Sequence, residues 1–237
     1  MAWSHGSRFR LAQALVSPFA GARILDYGCG DGTFVAMVHD RFAQAIGTDV
    51  DAAQLADCAS RFRSLTSVAF LPQSLVEADP RHAGAYDVVT CLEVLEHCVD
   101  PERVRVLDRL RRLVAPHGRV IISVPIETGL SLPAKQMARR VAGWRRIGDY
   151  RFTERYTWGE LMRMTCAGSS ASIPRPVYVS SGDSTTPYRY HGHKGFNWRT
   201  MAHEVAQTFD IQGCRYSPMP WLRAQLNSQV WFICRPK

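Results

Sequence analysis

No run of roughly 18 apolar residues occurs in this chain of 237 residues, so no membrane-spanning helix is expected. Met1 to Arg10 carries no apolar core of the kind a secretion signal needs. The seven cysteines are odd in number and contain no C-x-x-C pair. Cys29 and Cys91 fall within or beside strand-like segments, which suits reduced thiols in the cytoplasm and argues against a disulfide framework or a zinc site. No Asp/Asn cluster of the sort that chelates magnesium is evident, and no metal is expected. Excess charge is missing from most of the chain too. Residues 129–199 hold 12 Lys+Arg against 4 Asp+Glu, while the remainder holds 17 of each, so the whole net charge of +8 sits in one segment. A localised basic cap suits an acidic small molecule, an anionic membrane or a nucleic acid.

What is present is dominated by one stretch, Ile24-Leu25-Asp26-Tyr27-Gly28-Cys29-Gly30-Asp31-Gly32-Thr33. It reads as the end of a buried strand, three glycines at alternate positions, and a helix with apolar Phe34, Val35, Val38 and Phe42. Glycine permits positive φ and lets a ligand approach the backbone. A helix start also offers N–H groups to an anion. The spacing is G-x-G-x-G, whereas nicotinamide and flavin proteins use G-x-G-x-x-G. Asp49 ends the next strand about 20 residues on, where a ribose-binding carboxylate belongs.

Strand and helix then alternate. Ala45–Asp49, Val68–Leu71, Tyr86–Cys91 and Arg119–Val124 read as strands, with Pro72 ending the second of these. Asp51 caps one expected helix. Asp100 caps another, with Pro101 at its first position, a packed stripe of Val104, Leu107 and Val114, and a stop at Pro116-His117-Gly118. Repeated β-α units predict a parallel sheet that binds ligands at the carboxyl ends of its strands. Asp26, Asp49, Gln73, Ser74, Cys91 and Glu127 all fall at or just past such ends. Within 129–199, Ala134–Ile147 reads as an amphipathic helix. Met137, Val141, Trp144 and Ile147 lie on one side of it, and Lys135, Arg139 and Arg146 on the other. The stripe fits either a lid over the pocket, with the cations toward water or an acidic acceptor, or an anionic membrane surface. Loop-rich stretches follow, then a helix over Trp198–Phe209. Ile211–Tyr216 and Gln229–Cys234 suit a closing antiparallel pair.

The glycine loop, the acid in Gly47-Thr48-Asp49 and the run Tyr86-Asp87-Val88-Val89-Thr90-Cys91-Leu92-Glu93-Val94-Leu95-Glu96-His97 resemble class I S-adenosylmethionine-dependent methyltransferases. The run from Tyr86 to Pro101 is especially similar to the O-methyltransferases of ubiquinone synthesis. Later segments, such as His193 to Arg199, look more like a bacterial group of small-molecule methyltransferases. The resemblance implies an α/β, doubly wound, Rossmann-like, mostly parallel seven-stranded sheet with an antiparallel last strand and a cap inserted after strand five. Residues 1–23 would be an N-terminal helix, 24–128 the cofactor core, 129–199 the basic substrate cap and 200–237 the closing helix and strands. S-adenosylmethionine would be the cofactor and S-adenosylhomocysteine the product. Asp26, Gly28, Cys29 and Gly30 would meet the methionine portion, and Asp49 with Val50 the ribose. Gln73 and Ser74 would meet the adenine. Cys91, Leu92 and Glu93 would line the sulfonium end. Glu127, His193 and His97 are the candidate bases for a proton-bearing acceptor. The expected reaction is methyl transfer to a small molecule, to oxygen by this likeness. RNA, a membrane lipid or quinone as acceptor, and a non-catalytic cofactor-binding role, are the rivals. Nucleic acid is disfavoured because Cys91-Leu92-Glu93-Val94 stands where an Asn/Asp-Pro-Pro-aromatic motif would be.

Overall fold

The structure, a computed structural model, describes residues 3–145, 154–180 and 187–237. Helix α1 (Trp3–Val16) leads into β1 (Arg23–Tyr27), α2 (Thr33–Val38), β2 (Gln44–Asp49), α3 (Ala52–Arg61), β3 (Val68–Pro72), α4 (Gln73–Ala78) and β4 (Tyr86–Leu92). Then come α5 (Asp100–Leu113), β5 (Val114–Pro125), α6 (Ser131–Trp144) and α7 (Trp158–Thr165). The chain closes with β6 (Val177–Val179), β7 (Arg189–His191), α8 (Trp198–Thr208), β8 (Phe209–Ser217) and β9 (Gln229–Pro236).

Seven strands form one sheet in the order β3-β2-β1-β4-β5-β9-β8. The pairings from β3 to β5 are parallel, and β9 runs antiparallel to both of its neighbours. β6 and β7 form a separate antiparallel hairpin. Alternation along the strands sends side chains to two cores. Ile24, Val88, Ile121 and Trp231 pack with Val16, Val35 and Leu55 of the first three helices. Leu25, Val89, Ile122 and Phe232 pack with Val76, Leu107 and Val205 from α4, α5 and α8. Each such fully buried aliphatic or aromatic side chain contributes about 1.5–3 kcal/mol. Strand order reverses between β1 and β4, so a crevice opens at the carboxyl ends of those two strands.

Asp51 caps α3 as expected, accepting from the N–H groups of Ala53 and Gln54. Several other expectations are corrected. Val99, not Asp100, is the N-cap of α5, and Asp100 is its first residue, paired with Arg103. Val104 is 58% exposed, and the packed stripe of α5 is Val106, Leu107, Leu110 and Leu113. The reason is α8: Arg103 donates to both carboxylate oxygens of Glu204, at 2.6 and 2.9 Å, which turns that side of α5 toward α8. The helix ends at Leu113, and β5 already begins at Val114, before Pro116. Helix α7 and strands β6 and β7 flank the loop-rich stretches, where the sequence reading placed no element.

The cap helix is rotated relative to the lid expectation. In α6, Met137, Val141 and Trp144 face outward, at 65, 42 and 82% exposure, while Lys135 and Arg139 point into the molecule. Ile147 and Arg146 lie outside the described residues. The physical cause is Glu127, a fully buried carboxylate that needs cations more than the stripe needs cover.

Candidate active site

The glycine loop joins β1 to α2 with Gly28 at φ +80°, Gly30 at +52° and Gly32 at +69°. A Cβ on Gly28 would also collide with Val94, so only glycine serves there. A Cβ on Gly30 would meet nothing within 4 Å, because that position opens onto the crevice. The loop N–H groups are mostly taken by the fold. Those of Gly28 and Cys29 donate to the Thr48 carbonyl, at 2.8 and 2.9 Å, and that of Gly32 to the Cys29 carbonyl. Asp31 accepts from the Thr33 N–H at 3.0 Å. The expected anion cradle at the start of α2 is therefore filled from within, and the loop offers close approach instead. Asp49 accepts from the Gly30 N–H at 2.9 Å and the Asp51 N–H at 3.1 Å, one bond per carboxylate oxygen. Each oxygen keeps capacity for a second donor.

These groups line a cavity of about 810 Å³. Asp26, Gly28, Cys29, Gly30, Asp49, Val50, Gln73, Leu92 and Glu93 line it, together with His97, Tyr188 and Tyr190. Ser74 is exposed and Cys91 is fully buried, and neither reaches this lining. Gln73 is fixed by its amide, which donates to the Tyr27 hydroxyl at 2.5 Å and to Glu77 at 2.7 Å.

The electrostatics of the cavity are uneven. Burial pushes Asp26 up to about 7, opposed by the Thr90 hydroxyl, which donates to it at 2.6 Å, and aided by the charge of Asp49. Glu93 stands at φ +59°, a left-handed conformation that costs a non-glycine residue about 1–3 kcal/mol and gathers at functional sites. Ser123 donates to its carboxylate at 3.2 Å, and Arg8 lies 3.5 Å away. Burial raises Glu93, with the Arg8 charge opposing it.

Of the three candidate bases, His97 lines the cavity. Its Nδ1 lies 2.8 Å from the His191 carbonyl, an oxygen that can only accept, so Nδ1 carries the proton and Nε2 presents a lone pair. The His193 ring stands 5.1 Å from that of His97. Burial holds His193 down near 4, against the pull of Glu127, so its imidazole is neutral at pH 7. Glu127 does not line this cavity. Lys135 Nζ lies 3.0 Å from its Oε1, Arg139 lies 2.9 and 3.2 Å from its two oxygens, and His193 Nδ1 lies 4.0 Å away. Burial would raise Glu127, but Lys135 and Arg139 outweigh it and hold the carboxyl below its usual range. An anion clamped by two cations is a poor proton acceptor.

The fold also assembles a group that no sequence spacing announced. Glu96, His97 and His193 bring one ligand atom each within 4.8 Å of one another. Tyr188 and Tyr190 were missed as well, because they reach the cavity on the β6–β7 hairpin, whose three-residue strands are too short for a periodicity signal.

The residues fit S-adenosylmethionine. A strand-end carboxylate with spare acceptor capacity suits a ribose, and a glycine with open space above it suits the close approach of an amino-acid chain. Comparison with known proteins agrees. Residues 5–164 match the family model described as a methyltransferase domain. A ubiquinone biosynthesis O-methyltransferase of Cronobacter sakazakii is 39% identical over 106 residues, or 44% of this chain and 42% of that protein. The chain therefore spans less than half the length of that relative. Among solved structures, the PH0226 protein of Pyrococcus horikoshii matches with a TM-score of 0.62 at 15% identity, covering 100% of this chain and 92% of that one. The N-methyltransferase NodS of Bradyrhizobium japonicum, solved with S-adenosylhomocysteine, matches at 0.59 and 13% identity, covering 99 and 88%. These two likenesses show the fold. The chain belongs to the methyltransferase-domain family, a family of S-adenosylmethionine-dependent enzymes.

Proposed function

We propose that this chain transfers the methyl group of S-adenosylmethionine to an oxygen of a small-molecule acceptor. The observation that carries the reading is that Asp49, Gly30, Leu92, Glu93 and His97 all line one cavity. Bound there, the cofactor supplies a methyl group already activated by sulfonium. The chain holds and aligns. Asp49 accepts from the ribose hydroxyls, each charge-assisted bond contributing about 1.5–3 kcal/mol. The Gly28–Gly32 turn admits the methionine chain beside Asp26, and Gln73 stands at the adenine end. Leu92 and Glu93 flank the sulfur. Alignment and exclusion of water are most of what an in-line displacement needs. The acceptor hydroxyl faces His97, the corner where its proton is drawn off; the products are the methylated oxygen, S-adenosylhomocysteine and one proton.

Residues 24–128 serve as the cofactor core in this reading, 129–199 as the cap and 200–237 as the closing strands. Arg189 lines the acceptor end and favours an acidic acceptor. Oxygen is favoured by the O-methyltransferase relatives over the matched region. A second reading, an acceptor presented at an anionic membrane, has one observation behind it: the outward stripe Met137, Val141 and Trp144 beside exposed Arg140 and Arg145.

The test uses S-adenosylmethionine labelled in the methyl group against pools of hydroxy acids, phenols, glycolipids and RNA, with and without anionic vesicles. Label is expected on a small-molecule oxygen. His97→Gln is expected to lower kcat by about 100-fold or more without changing S-adenosylhomocysteine affinity. Label found only on nitrogen or on RNA contradicts the reading, and transfer that requires vesicles selects the membrane-presented acceptor.

A further inference from the structure

The β6–β7 hairpin is fixed to the cofactor core through its backbone. The His191 N–H donates to the His97 carbonyl at 2.8 Å, and Tyr190 forms an antiparallel bridge with Cys98, just past β4. Arg175 ties the two sides further, donating to the carbonyls of Glu96 and Gly192. Ser180 then holds both backbone groups of Tyr188. The Ser180 N–H donates to the Tyr188 carbonyl at 2.9 Å, and the Ser180 hydroxyl accepts from the Tyr188 N–H at 3.0 Å. The Tyr190 ring neighbours those of Tyr178 and Tyr188, with centroids 5.6 and 6.0 Å away, distances at which aromatic rings attract. Tyr188 is 39% exposed, so this backbone, more than burial, sets where its side chain lies.

That place is the wall of the cofactor cavity, shared with Gly30, Asp49 and Val50. Burial raises the Tyr188 phenol, and the charges of Asp49 and Asp51 add to the rise, so the hydroxyl stands near both acids and is protonated at pH 7. The Tyr178 hydroxyl donates to Glu154 at 2.9 Å, whereas the Tyr188 hydroxyl has no partner among the described residues. A donor held in place, close to two acids yet bonded to neither, leaves room for a ligand atom between them. A ribose at Asp49 needs such a donor. A carboxylate only accepts, so ribose hydroxyls that donate to Asp49 keep lone pairs that still want a hydrogen. The nearby N–H groups of Gly30 and Asp51 are spent on Asp49 itself.

We propose that Tyr188 closes the ribose end of the cofactor site by donating its hydroxyl to a ribose hydroxyl oxygen opposite Asp49. The inference rests on the placement of the ribose at Asp49 and is independent of the acceptor. It makes the cap hairpin part of the cofactor site. Recognition of the ribose is split between an acid at the end of β2 and a phenol delivered from beyond β5. Departure of the cofactor then requires the hairpin to give up a bond, which ties cofactor exchange to the cap.

The experiment titrates S-adenosylhomocysteine and its 2′-deoxy and 3′-deoxy analogues by calorimetry into full-length wild type, Tyr188→Phe and Asp49→Ala. Tyr188→Phe keeps the ring and removes only the donor. It is expected to weaken S-adenosylhomocysteine about fivefold, the worth of one neutral hydrogen bond. That penalty is expected to disappear for the one deoxy analogue that lacks the oxygen Tyr188 meets. Thermal unfolding of the ligand-free protein is expected to be the same in wild type and Tyr188→Phe, since the hydroxyl bonds nothing there. Unchanged S-adenosylhomocysteine affinity in Tyr188→Phe, beside a loss in Asp49→Ala, overturns the inference and leaves the ribose at Asp49. An equal penalty for all three ligands, with or without a lowered unfolding midpoint, shows that the hydroxyl acts away from the ribose and also overturns it. An unchanged affinity in Asp49→Ala overturns instead the ribose placement on which the inference rests.

Discussion

A carboxyl group as deeply buried as that of Asp26 resists ionisation until something positive arrives. In the free protein it is held near 7, against 3.8 for an ordinary aspartate, by burial first. Between those values the folded chain keeps a proton that the unfolded chain has lost. The stability contributed by this group is full below about pH 4 and is lost as pH rises through 7. The methionine portion of the cofactor carries an ammonium group, which pairs best with ionised Asp26. Binding below pH 7 must therefore expel a proton. S-adenosylhomocysteine affinity is expected to rise severalfold between pH 6 and pH 8, and Asp26→Asn is expected to flatten that profile. Calorimetry at the two pH values checks both. A flat wild-type profile would remove Asp26 from the cofactor contacts. Residues of this kind were legible in the sequence because backbone constraint and strand order fix them. Gly28, Gly30 and Asp49 follow from the turn between strand and helix and from the end of the next strand. Glu96 was not legible, since neither its burial nor the approach of His193, nearly a hundred residues later, shows in any local pattern.

At the scale of elements, the cap shows which force wins. Periodicity fitted the apolar stripe of α6 either inward, over the pocket, or outward, toward a membrane surface. The buried Glu127 turned it outward, drawing in Lys135, which also donates to the carbonyls of Ile126 and Ser228, and Arg139. Removing one member of a buried ion pair costs about 3–5 kcal/mol. Glu127→Gln is expected to lower unfolding free energy by about 3 kcal/mol in urea at pH 7. Because the folded-state pKa of Glu127 is depressed, its stabilisation is present above about 4.5 and disappears as pH falls through the depressed value. The gap between wild type and variant should thus close in acid. An equal gap at pH 7 and pH 3 would show that the carboxylate charge is not what holds α6. The same competition explains α5, where Leu107 packs as expected, Val114 is buried as the first residue of β5, and Val104 alone turns outward. Spacing alone allowed Val104, while the Arg103–Glu204 pair to α8 selects Val106, Leu107, Leu110 and Leu113.

Across the whole molecule, the reversal of strand order between β1 and β4 opens the crevice, and the residues assigned to the cofactor lie at or just past the carboxyl ends of β1, β2, β3 and β4. The alternating strands and the closing antiparallel pair made this plan readable, since a parallel sheet with buried faces leaves few arrangements. The part of the cavity lined by Tyr188 and Tyr190 was not readable, because it is brought there by the β6–β7 hairpin, far along the chain from the glycine loop. The central claim is that this crevice is shaped for S-adenosylmethionine, with Asp49 on its ribose. Titration calorimetry of S-adenosylhomocysteine and of NAD⁺ into wild type and Asp49→Ala tests it most directly. One S-adenosylhomocysteine per chain, no NAD⁺, and a loss of about 2–4 kcal/mol in the variant, two charge-assisted bonds less some replacement by water, is the expected result. Binding of NAD⁺ without S-adenosylhomocysteine, or an unchanged affinity in Asp49→Ala, would contradict it.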